Sequence, residues 1–261
     1  MFFIKRMLSP VNFVALIALV SFLASPAFAD ELFSFKPGYL ALNPSGDVAV
    51  SVDGLTGTLL DVEGDLGMDD SEDYFVEAAL QLGAFRLFAA YLPLSFSGTS
   101  VLTSDVSFNG ETFVLGSRVE SDVNVDIYEA GLAWFLVNID DMPVRIQFGP
   151  EMAVKYVDAS VELQDNSFGL NESESVGVPV PTLGARVRVS VADYLSMVGR
   201  VGYLKYDGNS FMDVDAQIEC SPLPLVGLFA GYRYLDIEVD DNDVFIDTSF
   251  AGPYAGALIR F

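Results

Sequence analysis

Charged side chains recur at every second position in several segments of this chain. The segment PVRIQFGPEMAVKY (143–156) places Arg145, Glu151 and Lys155 on one face, and apolar or aromatic side chains on the other. A β-strand separates two such sets, whereas a helix mixes them. Charges gathered on one face of a strand can pair with each other, or they can line a path for ions.

Most catalytic chemistry is excluded by composition. The chain has no histidine, so a Ser–His–Asp or Cys–His arrangement cannot form. Carboxylate-only acid–base catalysis stays possible, but no spacing singles out a pair. No phosphate loop, Rossmann glycine pattern or Cys/His zinc cluster is present, and the single cysteine, Cys220, cannot form an internal disulfide. We therefore expect no enzyme activity and no cofactor.

The net charge of -24 argues against a nucleic-acid partner, because phosphates are bound by Lys and Arg.

The first 29 residues have the pattern of a cleaved signal peptide: Lys5 and Arg6 precede an apolar run over 11–23, and Ala27-Phe28-Ala29 follows it. The alternative is a membrane anchor, but the run is shorter than the roughly 20 residues that a spanning helix needs. Cleavage before Asp30 removes two bases and no acid, which moves the charge from -24 to -26. The remaining 30–261 suits a single domain.

The mean hydropathy of +0.40 is high for so acidic a chain, yet after the signal no stretch approaches 18 consecutive apolar residues. Alternating apolar residues explain both facts, and this pattern is typical of a transmembrane β-barrel. We predict an all-β fold, a closed antiparallel transmembrane β-barrel. A soluble periplasmic β-sandwich is the alternative, but it leaves the lipid-facing aromatic residues unexplained.

The alternation predicts ten strands, with eight or twelve as alternatives. Short periplasmic turns and longer, acidic outside loops should connect them. Two outside segments, 47–62 and 105–116, look like hairpin extensions above the membrane, and Asn109-Gly110 is a hairpin signal in the second. The predicted strands are 33–42, 73–82, 85–96, 123–137, 143–163, 174–192, 194–206, 210–220, 224–239 and 244–261.

Aromatic residues and prolines give two further expectations. Tyrosines near the outer strand ends, and Trp134 and Phe261 near the inner ends, should form girdles at the membrane interfaces. The tyrosines are Tyr156, Tyr203, Tyr232 and Tyr234. Each proline in or beside a strand removes a backbone donor, so we expect bulges or strand ends at some of Pro93, Pro150, Pro179, Pro181 and Pro253.

Strand parity places most of the basic residues inside the barrel. A barrel of about eight strands is filled by its own side chains, so the first interpretation is a salt-bridged interior in a structural or surface protein. The second is a narrow ion- or solute-selective pore lined by arginines. Full pairing of the bases with acids favours the first, and an unpaired ladder of bases favours the second. The predicted lining is Lys36, Glu77, Arg86, Glu129, Arg145, Glu151, Lys155, Arg186, Arg188, Arg200 and Arg233, with Arg260, Asp215 and Glu219 on the same parity.

The segment DVEGDLGMDDSED (61–73) is the most acidic part of the outside loops. Several carboxylates together can bind calcium, but this spacing does not match an EF-hand and acidic loops are usually solvated. A metal site is therefore only a weak candidate, and bridging of divalent cations to anionic lipid headgroups is a related idea. The candidate residues are Asp61, Glu63, Asp65, Asp69 and Asp70.

The last strand resembles the C-terminal signature of Gram-negative outer-membrane β-barrels. Phe261, Ile259 and Ala257 share one face and Gly256 lies nearby. In that family such an ending is read by the barrel-assembly machinery. The rest of the chain is similar in pattern to small barrels of the OmpA or OmpW type. The resemblance implies a place in the cell outer membrane and contact with its lipid and lipopolysaccharide.

Overall fold

The computed structural model describes residues 32–50, 58–103, 105–108, 111–139, 144–165, 170–223, 225–241 and 244–261. The predicted signal peptide, and the Asn109-Gly110 turn, lie outside the described residues. No described residue belongs to a helix long and apolar enough to cross a membrane.

Fourteen strands follow one another along the described chain, and ten of them are long. Alternating apolar and polar residues form them, as β9 shows: its middle alternates strictly between buried and exposed positions from Gly149 to Val157. The strands are β1 (Phe33–Val50), β2 (Leu60–Asp61), β3 (Ser71–Leu82), β4 (Phe85–Val101), β5 (Val106–Phe108), β6 (Glu111–Phe113), β7 (Arg118–Trp134), β8 (Val137–Ile139), β9 (Arg145–Asp165), β10 (Leu170–Ala192), β11 (Leu195–Tyr206), β12 (Asn209–Cys220), β13 (Val226–Asp241) and β14 (Val244–Arg260).

The ten long strands close into a ring of antiparallel neighbours. The order runs β10-β11-β12-β13-β14-β1-β3-β4-β7-β9, and β9 pairs back with β10. The seam between the first and last strands is tied by reciprocal backbone hydrogen bonds between Phe33 and Phe261, at 3.1 and 2.9 Å. The prediction of a closed ten-stranded antiparallel barrel is confirmed, since each of the ten long strands that the structure describes pairs with a neighbour on both sides.

Two aromatic belts mark the apolar band of the outer surface. Tyr91 stacks on Tyr128 at 4.9 Å toward the outer end, and Phe85 stacks on Trp134 at 5.9 Å at the inner end. From Phe148 to Tyr156, β9 contributes nine residues, and a tilted strand needs about 9–11 residues to cross the hydrocarbon core of a bilayer.

Several strands continue well beyond the outer belt and form two tall walls. One wall is β4–β7–β9–β10, where the β9–β10 hairpin reaches Asp165 and Leu170. The other is β13–β14–β1, where β1 extends eight residues past its predicted end at residue 42. The predicted outside segments do carry strands: β2 pairs with β1, and β5 pairs with β6 as a separate two-stranded hairpin.

Prolines fall where ladders stop rather than at bulges. The β3–β4 ladder ends at Tyr91, just before Pro93, and the β10–β11 ladder begins only at Leu183, after Pro179 and Pro181. At Pro253 the β1–β14 pairing is interrupted without a change of register. A proline has no N–H to donate, so it is tolerated where no neighbour needs one.

The single register shift recorded among the described strand pairs lies between Ser190 and Ala192, away from every proline. The β9–β10 register runs without interruption through Pro150, Pro179 and Pro181. Of the two alternatives, bulges or strand ends, the described strands show no bulge at these prolines, and the pairing on one side of a strand instead stops or is interrupted beside them.

The interior has two layers. The outer half is filled by an apolar cluster in which Phe96 of one wall stacks on Phe250 of the other at 5.1 Å. The loop before β3 covers this cluster with Leu66 and Met68. The inner half, at the level of the apolar band of the outer surface, holds the charged side chains.

Candidate functional site

The candidate site is the charged layer inside the inner half of the barrel. Ion pairs divide it into two networks, which we call the central network and the inner network. Each is built from side chains of five or more strands, so the closed sheet itself brings the charges together.

Asp213 on β12 is the hub of the central network. It accepts from Lys155 at 2.8 Å, from Arg200 at 3.0 Å and from Arg233 at 2.8 Å. Glu129 on β7 accepts from Lys155 at 2.5 Å and from Arg200 at 3.0 Å. All five side chains are buried, and such charges are stable inside a protein only when each is paired.

Arg186 and Glu151 extend the central network toward β4. Arg186 donates from Nε to Glu151, whose other oxygen lies 3.8 Å from Arg200. The Arg186 and Arg200 guanidinium carbons lie 4.9 and 5.7 Å from the centroid of the Phe88 ring. The ring face attracts both cations, so Phe88 supports this end of the network.

Glu219 is the hub of the inner network. It lies 2.6 Å from Lys36, 2.8 Å from Arg188 and 2.7 Å from Arg260. Glu77 completes the network more loosely, 3.4 Å from Arg86 and 3.8 Å from Lys36.

Hydrogen bonds extend from the inner network to Asp215. The Gln217 amide donates to Glu219 at 3.2 Å, and the Tyr254 hydroxyl lies 3.4 Å from Gln217 Oε1 and 2.6 Å from Asp215. A cavity of about 30 Å³ lies where the charged layer meets the apolar cluster, lined by Phe75, Tyr254 and others. It has room for about one or two water molecules, so this part of the interior is nearly filled.

The nine bases predicted for the interior each have a carboxylate within ion-pair distance. Arg145 differs from the others in position: it lies at the inner rim, 38% exposed, and pairs with Asp193 of the turn at 3.2 Å. The paired bases are Lys36, Arg86, Arg145, Lys155, Arg186, Arg188, Arg200, Arg233 and Arg260.

Sequence reasoning missed Asp213, although it shares strand parity with Asp215 and Glu219 in the segment DVDAQIEC. It also missed Phe88, which shares a face of β4 with Arg86. Strand parity could have identified both residues. It could not identify their partners on other strands, because those depend on how far each strand is shifted in the ring.

The acidic loop covers the apolar cluster of the outer half. No group of three or more His, Cys, Asp or Glu side chains suited to a metal ion occurs among the described residues, which include the five candidates of the acidic loop. Asp61 accepts from the Gly64 amide, and Asp70 accepts from Asn43 at 2.8 Å. The apolar residues between the acids are buried on the interior cluster, so the carboxylates are the solvated side of a covering loop. The acids with most exposure are Asp61, Glu63, Asp69 and Asp70, with Asp65 half-buried.

The last strand packs closely against the first. Gly256 pairs with Gly38, and a Cβ on Gly256 would lie 2.3 Å from the Pro37 carbonyl oxygen. Ala257 and Ile259 face outward, and Phe261 is 60% exposed beside Phe33 at a ring distance of 6.2 Å. The four residues proposed for the assembly signal thus lie on the closing seam.

No family model and no curated protein sequence matches the chain. Solved structures do match. The outer membrane protease OmpT from Escherichia coli aligns with a TM-score of 0.59 and 9% identity, over 91% of this chain and 99% of that one. The translocator domain of the autotransporter NalP from Neisseria meningitidis aligns at 0.42 and 12%, over 96% and 95%. Ail, the attachment invasion locus protein of Yersinia pestis, aligns at 0.37 and 11%, over 87% and 99%. The alignment with OmpT concerns the fold alone, and the chain shares with that outer-membrane protein the closed antiparallel β-barrel fold.

Proposed function

We propose that this chain is a non-catalytic structural or surface protein of the outer membrane, whose barrel is filled rather than open. The observation that carries the proposal is the pairing of all nine predicted interior bases with carboxylates. An arginine-lined pore needs charges that face water, whereas these face each other. The apolar cluster and the covering loop fill the outer half in addition.

The absence of histidine supports the non-catalytic part of the proposal. OmpT is named as a protease, but a likeness at 9% identity concerns the fold alone. In a filled barrel, the walls and loops outside the membrane are the surfaces that contact other molecules. We expect these to meet outer-membrane lipid and lipopolysaccharide, with divalent cations bridging the acidic loops to lipid headgroups. We also expect the barrel-assembly machinery to read Gly256, Ala257, Ile259 and Phe261.

Liposome swelling tests the filled barrel. The refolded protein, verified by heat-modifiable gel migration, is placed in liposomes that are then diluted into isotonic arabinose. We expect swelling no faster than that of protein-free liposomes, with a general porin as the positive control. Swelling at a rate that rises with the amount of folded protein would overturn the proposal.

A further inference from the structure

Strand β10 has an open edge in the outer half of the barrel. Residues 170–182 pair with β9 along their whole length, whereas the ladder with β11 begins only at Leu183. On that second side, no strand among those that the structure describes pairs with 170–182. A strand edge with free backbone groups is a template on which another extended chain can pair.

Two prolines show which backbone groups point to this edge. In an antiparallel ladder, positions that bond to one neighbouring strand alternate with positions that face the other. Pro179 and Pro181 have no N–H, yet the β9–β10 register passes through them without interruption, so these positions face away from β9. The same alternation turns the amides of Ser173, Ser175 and Gly177 toward the open edge.

The inward side of this edge carries exposed apolar side chains. Val176 and Val178 have the inward parity of Arg186, but they are 53% and 43% exposed. Tyr206, at the tip of the β11–β12 hairpin, also has inward parity and is 74% exposed. These side chains lie where β11 and β12 end and the two tall walls continue. A strand added to β10 would therefore find apolar contacts on its inward side.

The chain closes the opposite gap, above the short β3, with a segment of its own. There β2 adds to the edge of β1, with Leu60 opposite Val48. Met68 of the same loop forms a bridge with Gly98 of β4. Above β11 and β12, the described residues supply no such segment. The fold thus uses strand addition to cover one gap and leaves the edge beside the other gap open.

The outward side of the same wall is acidic. Two pairs of like charges stand directly opposite each other on β7 and β9: Asp126 with Asp158, and Asp122 with Glu162. Like charges in this arrangement repel each other. Glu162 in turn stands opposite Ser173 of the open edge. A strand added to β10 would lie about 10 Å from β9, so long basic side chains on its outward face can approach these carboxylates.

We propose that the β10 edge binds an extended peptide segment of another protein, in which apolar residues alternate with basic ones. The backbone of the segment pairs with the open edge above the prolines, which offers about eight residues, 171–178. Its apolar side chains pack on Val176 and Val178, and its basic side chains face the acidic wall. The proposal rests on the surface role proposed above, but its test does not depend on whether the barrel is filled, so the two can fail separately.

Fluorescence anisotropy with a labelled peptide tests the proposal. The probe is an octapeptide of alternating Lys and Val, with fluorescein at its amino end and an amide at its carboxyl end. It is titrated with the refolded barrel in a neutral detergent. We expect saturable binding of this probe and no saturable binding of an octapeptide of alternating Glu and Val. Absence of saturable binding of the basic probe, or equal binding of the acidic one, would overturn the proposal.

Ser175→Pro is the critical variant. It removes one N–H of the open edge at the same spacing as Pro179, where the β9–β10 ladder already accommodates a proline. Loss of one backbone hydrogen bond, together with the bulk of the ring at the edge, should weaken binding at least about fivefold. Ser175→Ala is the matched control, because it keeps the N–H and should bind like the wild type. Equal affinity of the two variants would contradict pairing at this edge.

Hydrogen exchange of the wild type, followed by NMR, gives a readout that needs no variant. In the free protein, the amides of Ser173, Ser175 and Gly177 should exchange quickly. Those of Val176 and Val178 bond to β9 and should exchange slowly. A saturating amount of the basic probe should slow the three edge amides.

Three exchange results would contradict the proposal. Edge amides that are protected in the free protein at every concentration would mean that the chain covers its own edge. Protection that rises with protein concentration would assign the edge to a second copy of the chain. Edge amides that still exchange quickly with the probe bound would place the peptide elsewhere.

Discussion

Arg233 donates two parallel hydrogen bonds to Asp213, from Nε to Oδ1 at 3.1 Å and from Nη2 to Oδ2 at 2.8 Å. The two residues lie on neighbouring strands, β12 and β13, where the register sets Arg233 directly opposite Asp215 and diagonally across from Asp213, two residues away along β12. Two-point contact fixes the orientation of both side chains. Asp213 Oδ2 also accepts from Lys155 and Arg200, so this one carboxylate binds three cations.

Replacing Asp213 by Asn should be the most damaging single change in the interior. It removes the carboxylate that three buried cations share, and breaking a buried ion pair typically costs about 3–5 kcal/mol. The free energy of unfolding, measured by urea titration in lipid vesicles, should fall by an amount of this order. Asp193→Asn is the control, because the exposed Asp193–Arg145 pair should contribute less than about 1 kcal/mol. Equal losses in the two variants would contradict the role of Asp213 as a hub.

Val187→Arg tests which face meets lipid. Val187 points outward on the lipid-facing side of β10, opposite Phe148 and Gly199. A charge on this face costs up to about 2–4 kcal/mol at the bilayer midplane and less toward the interfaces, so the variant should insert and fold less stably by up to this amount. Ser175→Arg, on the exposed outer part of the same strand, should fold like the wild type. If Val187→Arg matches the wild type in vesicle refolding, the assignment of the faces is wrong.

Phe96→Ala should loosen the contact between the two tall walls. The ring is 2% exposed and stacks on Phe250, and removing a buried Phe side chain costs about 3–5 kcal/mol through lost burial and the cavity left behind. Hydrogen exchange of the outer segments of β4 and β14 should accelerate, while the inner half stays protected. Phe245→Ala, at a 37% exposed position of β14, provides the comparison and should change exchange little. Uniform acceleration over the whole barrel would mean that the two halves do not behave as separate layers.

Phe261→Ala should slow assembly in cells more than it lowers stability. The residue is largely exposed, so little burial is lost, but it belongs to the ending that resembles an assembly signal. Pulse–chase followed by gel migration measures the rate at which folded barrel appears. Phe85→Ala removes another aromatic ring of the inner belt and should not slow this rate. Equal rates for both variants would make the resemblance incidental.

Period-two alternation was sufficient to predict the barrel, the ten strands and most of the interior charges, because one face of each strand must meet lipid. Arg186, Arg200 and Arg233 were found in this way. The outer half could not be predicted as well. Leu92, Leu94 and Phe96 alternate like a membrane strand, and nothing local distinguishes an apolar residue that faces inward above the membrane from one that faces lipid. The covering loop was missed for a related reason. Its acidic residues led to the interpretation of a solvated loop, whereas Leu66 and Met68 of the same loop pack on the interior cluster.

Single-channel recording in a planar bilayer tests the filled barrel most directly. Protein first shown to be folded by heat-modifiable migration is added to the bilayer, with a general porin as the positive control. The paired interior predicts no conductance steps above the bare bilayer, for the wild type and for the double variant Arg186→Gln, Arg188→Gln. Steady conductance steps from the wild type, with ion selectivity that changes in the double variant, would contradict this and establish an arginine-lined pore.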